Sequence, residues 1–179
     1  MDLAPLLAAG VPLLGWTAHS TFLARRLTTA RRDPLTGLLT RDGFTARAER
    51  LIRRHPERTT VLLIDLDDFK AVNDTHGHAA GDAVLAATAR RLVTWCGADG
   101  LAARLGGDEF AAVVLDADHR IPDLRGLLQH PVPHGTELMS VSASVGTSHP
   151  GTHLLTEALS AADRQMYAAK PGARTARRR

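Results

Sequence analysis

Cysteine is almost missing from this chain. Cys96 is the single one in 179 residues, which excludes an internal disulfide framework and fits a reducing compartment. Its neighbours Leu92, Val93 and Trp95 mark it as a small buried hydrophobe rather than a reactive thiol. Aromatics are scarce as well, at 4% of residues, so aliphatic side chains and alanine must fill the core. The long stretch without charge is equally informative: residues 3–24 contain no Asp, Glu, Lys or Arg.

What is present is enough for one ordinary domain with a short appendage. The pI near 9.7 suggests a partner rich in phosphate, but the charge is unevenly placed. Arg25, Arg26, Arg31 and Arg32 precede the domain, and Arg174, Arg177, Arg178 and Arg179 end the chain. Between residues 33 and 173, 14 basic residues stand against 18 acidic ones, a net charge of −4. A mildly acidic body with basic ends argues against nucleic acid as a partner and suits a domain that collects divalent cations.

Three segments follow from composition: an apolar leader and basic linker at 1–32, a domain at 33–174 and a basic tail at 175–179. About 22 uncharged residues suffice for a helix across a bilayer, and the arginines behind them would keep the domain on the cytoplasmic side, at the inner face of the cell membrane. The other reading of the leader is an apolar helix that pairs with a second copy.

Along the domain, hydrophobic spacing predicts a helix over 42–54, a buried strand over 59–66 and a helix through Val84, Leu85, Thr88, Ala89, Leu92 and Trp95. Two apolar runs, 101–105 and 110–115, flank Gly106-Gly107 and read as a hairpin. A short helix over 121–128, a strand over 137–147 and a helix over 154–169 complete the order. This alternation implies an α+β domain with a ferredoxin-like or palm-type mixed sheet flanked by helices.

Chemistry concentrates at strand ends. The strand over 59–66 ends in Asp65, followed by Asp67 and Asp68, and the hairpin carries Asp108 and Glu109. Carboxylates in such places need a cation or donors as compensation, and Mg²⁺ takes one or two of them together with substrate phosphates. Gly106 and Gly107 allow a sharp turn and a close approach by a ligand. Structural readings stand beside these: Asp67 and Asp68 as solvated or capping acids, Asn73-Asp74 as turn formers, Asp82 as a helix N-cap, Phe69 and Phe110 as core, and Lys170 as a surface lysine. His76 and His78 flank Gly77 in a turn, and His130 and His134 lie in a proline-containing loop.

Five ordered blocks, DPLTGLLTR at 33–41, IDLDDFKAVNDTHGHAAGD at 64–82, RLGGDEF at 104–110, SVSASVG at 140–146 and AADRQMYAAK at 161–170, together resemble the GGDEF domain of diguanylate cyclases. The resemblance implies that two GTP molecules are condensed to cyclic di-GMP and pyrophosphate across a homodimer. It implies that Asp65, Asp108 and Glu109, with the Leu66 carbonyl, hold two Mg²⁺ or Mn²⁺ ions per site. Asn73 and Asp82 would read the guanine, while Phe69 and Lys70 would offer backbone N–H groups to phosphates. Lys170 and Arg174 would bind phosphate oxygens, and Arg104 would steady the transferring phosphate above the Gly106-Gly107 turn.

The chain departs from the family pattern in places. Many cyclases carry an inhibitory Arg-x-x-Asp motif whose ends fall at 97 and 100, and this chain has Gly97 and Gly100 there. Product feedback through that motif is therefore not expected. Thr40 stands where asparagine is usual, Gln165-Met166 replace alanine-leucine, and Ala173-Arg174-Thr175 replace Gly-Arg-Asn. The alternative to an active cyclase is a catalytically inactive GTP-binding regulatory module of the same family. A third reading is a membrane-tethered interaction domain with a vestigial nucleotide site.

Overall fold

The computed structural model describes residues 31–151 and 154–170. The apolar leader and Arg174 lie outside the described residues. Among the described residues, no helix is long and apolar enough to cross a membrane.

The run TTVLLIDL forms β1 (Thr59–Leu66), buried at every position except the half-buried Asp65. Continuous burial of successive residues means that both faces of the strand are covered, since side chains alternate across a sheet. The two cores follow this alternation. Leu62, Ile64 and Leu66 join one cluster, and Val61 and Leu63 join the other. β1 sits inside a four-stranded sheet of order β2-β3-β1-β6, with β2 (Leu101–Gly106), β3 (Glu109–Leu115) and β6 (Ala143–Ser148). Every pairing between these strands is antiparallel. The parallel component of the expected mixed sheet reduces to one isolated bridge, Leu39 with Ala103.

Helices cover both faces. α1 (Arg41–Arg54) and α5 (Leu155–Ala169) pack over Val61, Leu63, Ala111 and Val113. α3 (His78–Cys96) and α4 (Ile121–Leu128) cover Leu62, Ile64, Phe110 and Val114. The approach of β6 to α5 depends on Gly146, where an added Cβ would lie 1.9 Å from the Ala162 carbonyl oxygen. Cys96 is buried, and burial pushes its thiol up to about 12 against the opposing charge of Arg120.

Four expectations need correction. Asn73 and Asp74 are not turn formers; they lie in an eight-residue helix, α2 (Phe69–His76). Asp82 is not an N-cap, because α3 already begins at His78 with Gly77 as its cap. Gly77 also closes α2, at φ +81, so a single glycine separates the two helices. The strand expected over 137–147 is broken into β5 (Glu137–Met139) and β6. β5 pairs instead with β4 (Val132–His134), placed within the expected loop, and this two-stranded ribbon accommodates Pro133. The break is a tertiary effect: Ser142 accepts the Asp67 N–H at 2.9 Å, which holds the chain between the two sheets.

Candidate active site at the β1–β3 edge

Antiparallel register places Asp65 directly opposite Glu109, the first residue of β3. Directly opposed residues project from the same face of a sheet, so two like charges are neighbours here, an arrangement that is unfavourable without compensation. Both compensating cations come from helices on that face. Lys170, the C-cap of α5, donates from Nζ to Asp65 Oδ1 at 2.9 Å. Arg41, the first residue of α1, approaches Glu109 Oε2 at 3.9 Å.

Asp108 occupies the turn before β3, and its carbonyl accepts the Leu66 N–H at 3.4 Å. The end of β1 is thus stitched to the hairpin turn. Lys170 registers the same convergence electrostatically. Its hydrogen bond to Asp65 outweighs the opposing effect of burial, and the charges of Asp65, Asp67 and Asp108 act with it to raise the ammonium above the usual lysine value.

The turn is made by Gly106 at φ +153 and Gly107 at φ +50, conformations that residues with a side chain rarely adopt. An added Cβ at either glycine would meet no atom within 4 Å. The space above the turn is therefore open to a ligand.

Arg104 lies just before this turn. Its Nε donates to the Gly107 carbonyl at 2.9 Å, and its Nη1 lies 3.3 Å from both Asp33 carboxylate oxygens. Asp33 also accepts from the amide and hydroxyl of Thr36, at 2.8 and 2.6 Å. Burial opposes ionisation of Asp33, yet Thr36 and the Arg104 guanidinium together hold its carboxyl below the usual range. The segment carrying Asp33 runs beside β2, with Arg104 N–H donating to the Leu39 carbonyl at 2.9 Å.

Asp67 is half-buried and is not a cap. It accepts from the Ser142 and Ser144 hydroxyls, both at 2.7 Å, and ties β1 to β6. Asp68 holds the N-cap position of α2 at φ 53, without a side-chain cap bond. Phe69 and Lys70 open α2, where N–H groups have no acceptor within the helix. Phe69 packs against the core, and the Lys70 side chain pairs with Asp74.

Asn73 packs across the α2–α3 junction onto Gly81, the residue before Asp82. A Cβ there would lie 2.1 Å from Asn73 Oδ1. The Asn73 amide therefore rests on the backbone of the residue next to Asp82.

Among the described residues, no group of three or more His, Cys, Asp or Glu is placed to hold a metal ion alone. The donor chemistry at the edge still suits a hard cation, since Asp65, Asp108 and Glu109 offer carboxylate oxygen and Leu66 a carbonyl. Two residues of this edge, Asp33 and Arg41, are the ends of the block DPLTGLLTR and carry no assigned role in the sequence reading.

The family model for the diguanylate cyclase GGDEF domain matches residues 30–176. The chain belongs to the GGDEF family. It is 56% identical over 164 residues to an uncharacterized 19.3 kDa protein of the repSA 5′ region in Streptomyces ambofaciens, covering 89% of each chain. It is 38% identical over 157 residues to the diguanylate cyclase DgcN of Escherichia coli, covering 82% of this chain and 38% of that protein. Among solved structures, a sensory box/GGDEF family protein from Caulobacter crescentus superposes with a TM-score of 0.73 at 39% identity. That match covers 78% of this GGDEF protein and 97% of the other chain.

Proposed function

We propose that this GGDEF protein is a diguanylate cyclase, joining two GTP molecules into cyclic di-GMP. The observation that carries the reading is the opposed pair Asp65 and Glu109 beside the open double-glycine turn. Two acids facing each other on one sheet face, with Asp108 in the adjoining turn, make an edge suited to divalent cations and a triphosphate.

In this reading Asp65, Asp108 and Glu109, with the Leu66 carbonyl, hold two Mg²⁺ or Mn²⁺ ions. When bound, the ions supply charge neutralisation and alignment of the reacting oxygens. The chain's own residues bind and orient. Asn73 and Asp82 pair with the guanine edge, and adenine would leave the Asp82 carboxylate without donors. The Phe69 and Lys70 amides, at the free start of α2, and the cations Lys170 and Arg174 take phosphate oxygens. Arg104 fixes the turn through the Gly107 carbonyl, from where it would steady the transferring phosphate.

The 3′-hydroxyl oxygen of one GTP attacks the α-phosphorus of the other. The bond to the pyrophosphate oxygen breaks, and the hydroxyl proton passes to solvent. The same step in the opposite direction closes the ring and releases a second pyrophosphate. Each site holds one GTP, so two copies of the chain must face each other.

The alternative within the family is a GTP-binding module without turnover. Incubating the full chain with GTP and Mg²⁺ and separating products by liquid chromatography and mass spectrometry distinguishes them. An active cyclase gives cyclic di-GMP and two equivalents of pyrophosphate, both abolished by Asp108→Asn. GTP binding by a confirmed dimer without product selects the second reading.

A further inference from the structure

The two cations at the Asp65–Glu109 pair are held differently. Lys170 makes a hydrogen bond at 2.9 Å, with side chains 35% exposed for the lysine and 15% for Asp65. Arg41 makes one contact at 3.9 Å, with both side chains far more open, at 59% for Arg41 and 46% for Glu109. A single long ion pair in solvent contributes little. Arg104 is committed to Asp33 and the Gly107 carbonyl, and Lys70 to Asp74. Of these basic side chains, Arg41 holds its partner most loosely.

The backbone beneath Arg41 is fixed. Leu39 bridges to Ala103, and the Thr40 N–H donates to the Arg31 carbonyl at 2.9 Å. The Thr40 hydroxyl accepts the Gly43 N–H at 3.4 Å, and the Thr45 hydroxyl donates to the Arg41 carbonyl at 2.9 Å. The Cα of Arg41 therefore stays beside the hairpin while the guanidinium is free to turn. A guanidinium binds phosphate oxygens through paired, charge-assisted hydrogen bonds, which are stronger than its present contact. A Glu109 carboxylate that held a divalent cation would no longer compensate Arg41, and the triphosphate would be the anion at the same edge.

We infer that Arg41 is a substrate-positioning cation of this site, exchanging Glu109 for the triphosphate of the bound guanine nucleotide. The inference rests on the nucleotide-binding reading above. It adds to the site a residue from α1, an element that otherwise packs over this face of the sheet.

The test uses the full chain with Mg²⁺ and a non-hydrolysable GTP analogue, titrated calorimetrically into wild type, Arg41→Ala and Arg41→Lys. Guanosine binding is read in parallel by ligand-observed NMR, which detects weak affinities. Arg41→Ala should weaken the analogue about tenfold. Arg41→Lys should recover part of that loss, and guanosine should bind all three proteins equally. An analogue affinity unchanged in Arg41→Ala overturns the inference, as does an equal loss for guanosine, which marks a structural role. Failure of wild type to bind the analogue instead overturns the nucleotide reading itself.

Discussion

Asp33 and Arg104, 71 residues apart, form a half-buried ion pair at 3.3 Å that joins the opening segment of the domain to the hairpin turn. Because Arg104 also holds the Gly107 carbonyl, the pair reaches the turn that carries Asp108. Asp33→Asn should leave the domain folded and lower GTP turnover about tenfold, the usual cost of losing an outer partner of a metal-site group. The sign of the pH effect follows from the depressed Asp33 carboxyl. Its contribution is complete above the ordinary value of 3.8 and is lost as pH falls through the lower folded value. Acid unfolding followed by circular dichroism should show this loss in wild type and a shallower slope in Asp33→Asn.

Gly81 offers a separation of stability from recognition. Alanine there should gain helix propensity of about 1 kcal/mol. Its Cβ would nevertheless displace the Asn73 amide, which lies 2.1 Å from that position. The propensity gain is opposed by crowding of Asn73 and of the Phe69 ring, whose Cζ would lie 3.1 Å away. Gly81→Ala should therefore stay folded with a small change in melting temperature while losing discrimination between GTP and ATP. Thermal unfolding and competition binding check the two halves independently.

Gly97 and Gly100, which stand at the ends of the family's inhibitory motif, are constrained by backbone conformation and by packing respectively. Gly97 sits at φ +69, and a Cβ on Gly100 would lie 2.6 Å from the Cys96 carbonyl oxygen and 2.9 Å from Val114 Cγ1. Gly100→Asp should cost about 1–3 kcal/mol through overpacking. Chemical denaturation measures this directly. Restoring the motif as Gly97→Arg with Gly100→Asp should destabilise the fold further.

The elements legible in the sequence were those whose burial is continuous or periodic. β1, α4 and the hairpin were readable because TTVLLIDL, 121–128 and the runs around Gly106-Gly107 carry their own signal. α2 was not, since its Asn73, Asp74 and Thr75 favour turns in isolation and are held helical by packing of Phe69 and Val72. The break between β5 and β6 was hidden for another reason. The apolar alternation runs on through Val141, while the interruption comes from Asp67, 75 residues away from Ser142. At the site, the acids were visible as a motif; the pairing of Asp65 with Lys170, of Glu109 with Arg41 and of Asp33 with Arg104 depends on the folded arrangement of distant segments.

Binding of Mn²⁺ in the presence of a non-hydrolysable GTP analogue, followed by electron paramagnetic resonance, addresses the central claim most directly. If Asp65, Asp108 and Glu109 gather cations at one edge, wild type should bind two ions per chain with the nucleotide, and Asp65→Asn and Glu109→Gln should each lower that occupancy. Equal manganese binding in wild type and both variants, or none in any of them, would contradict a metal-assisted site at this edge.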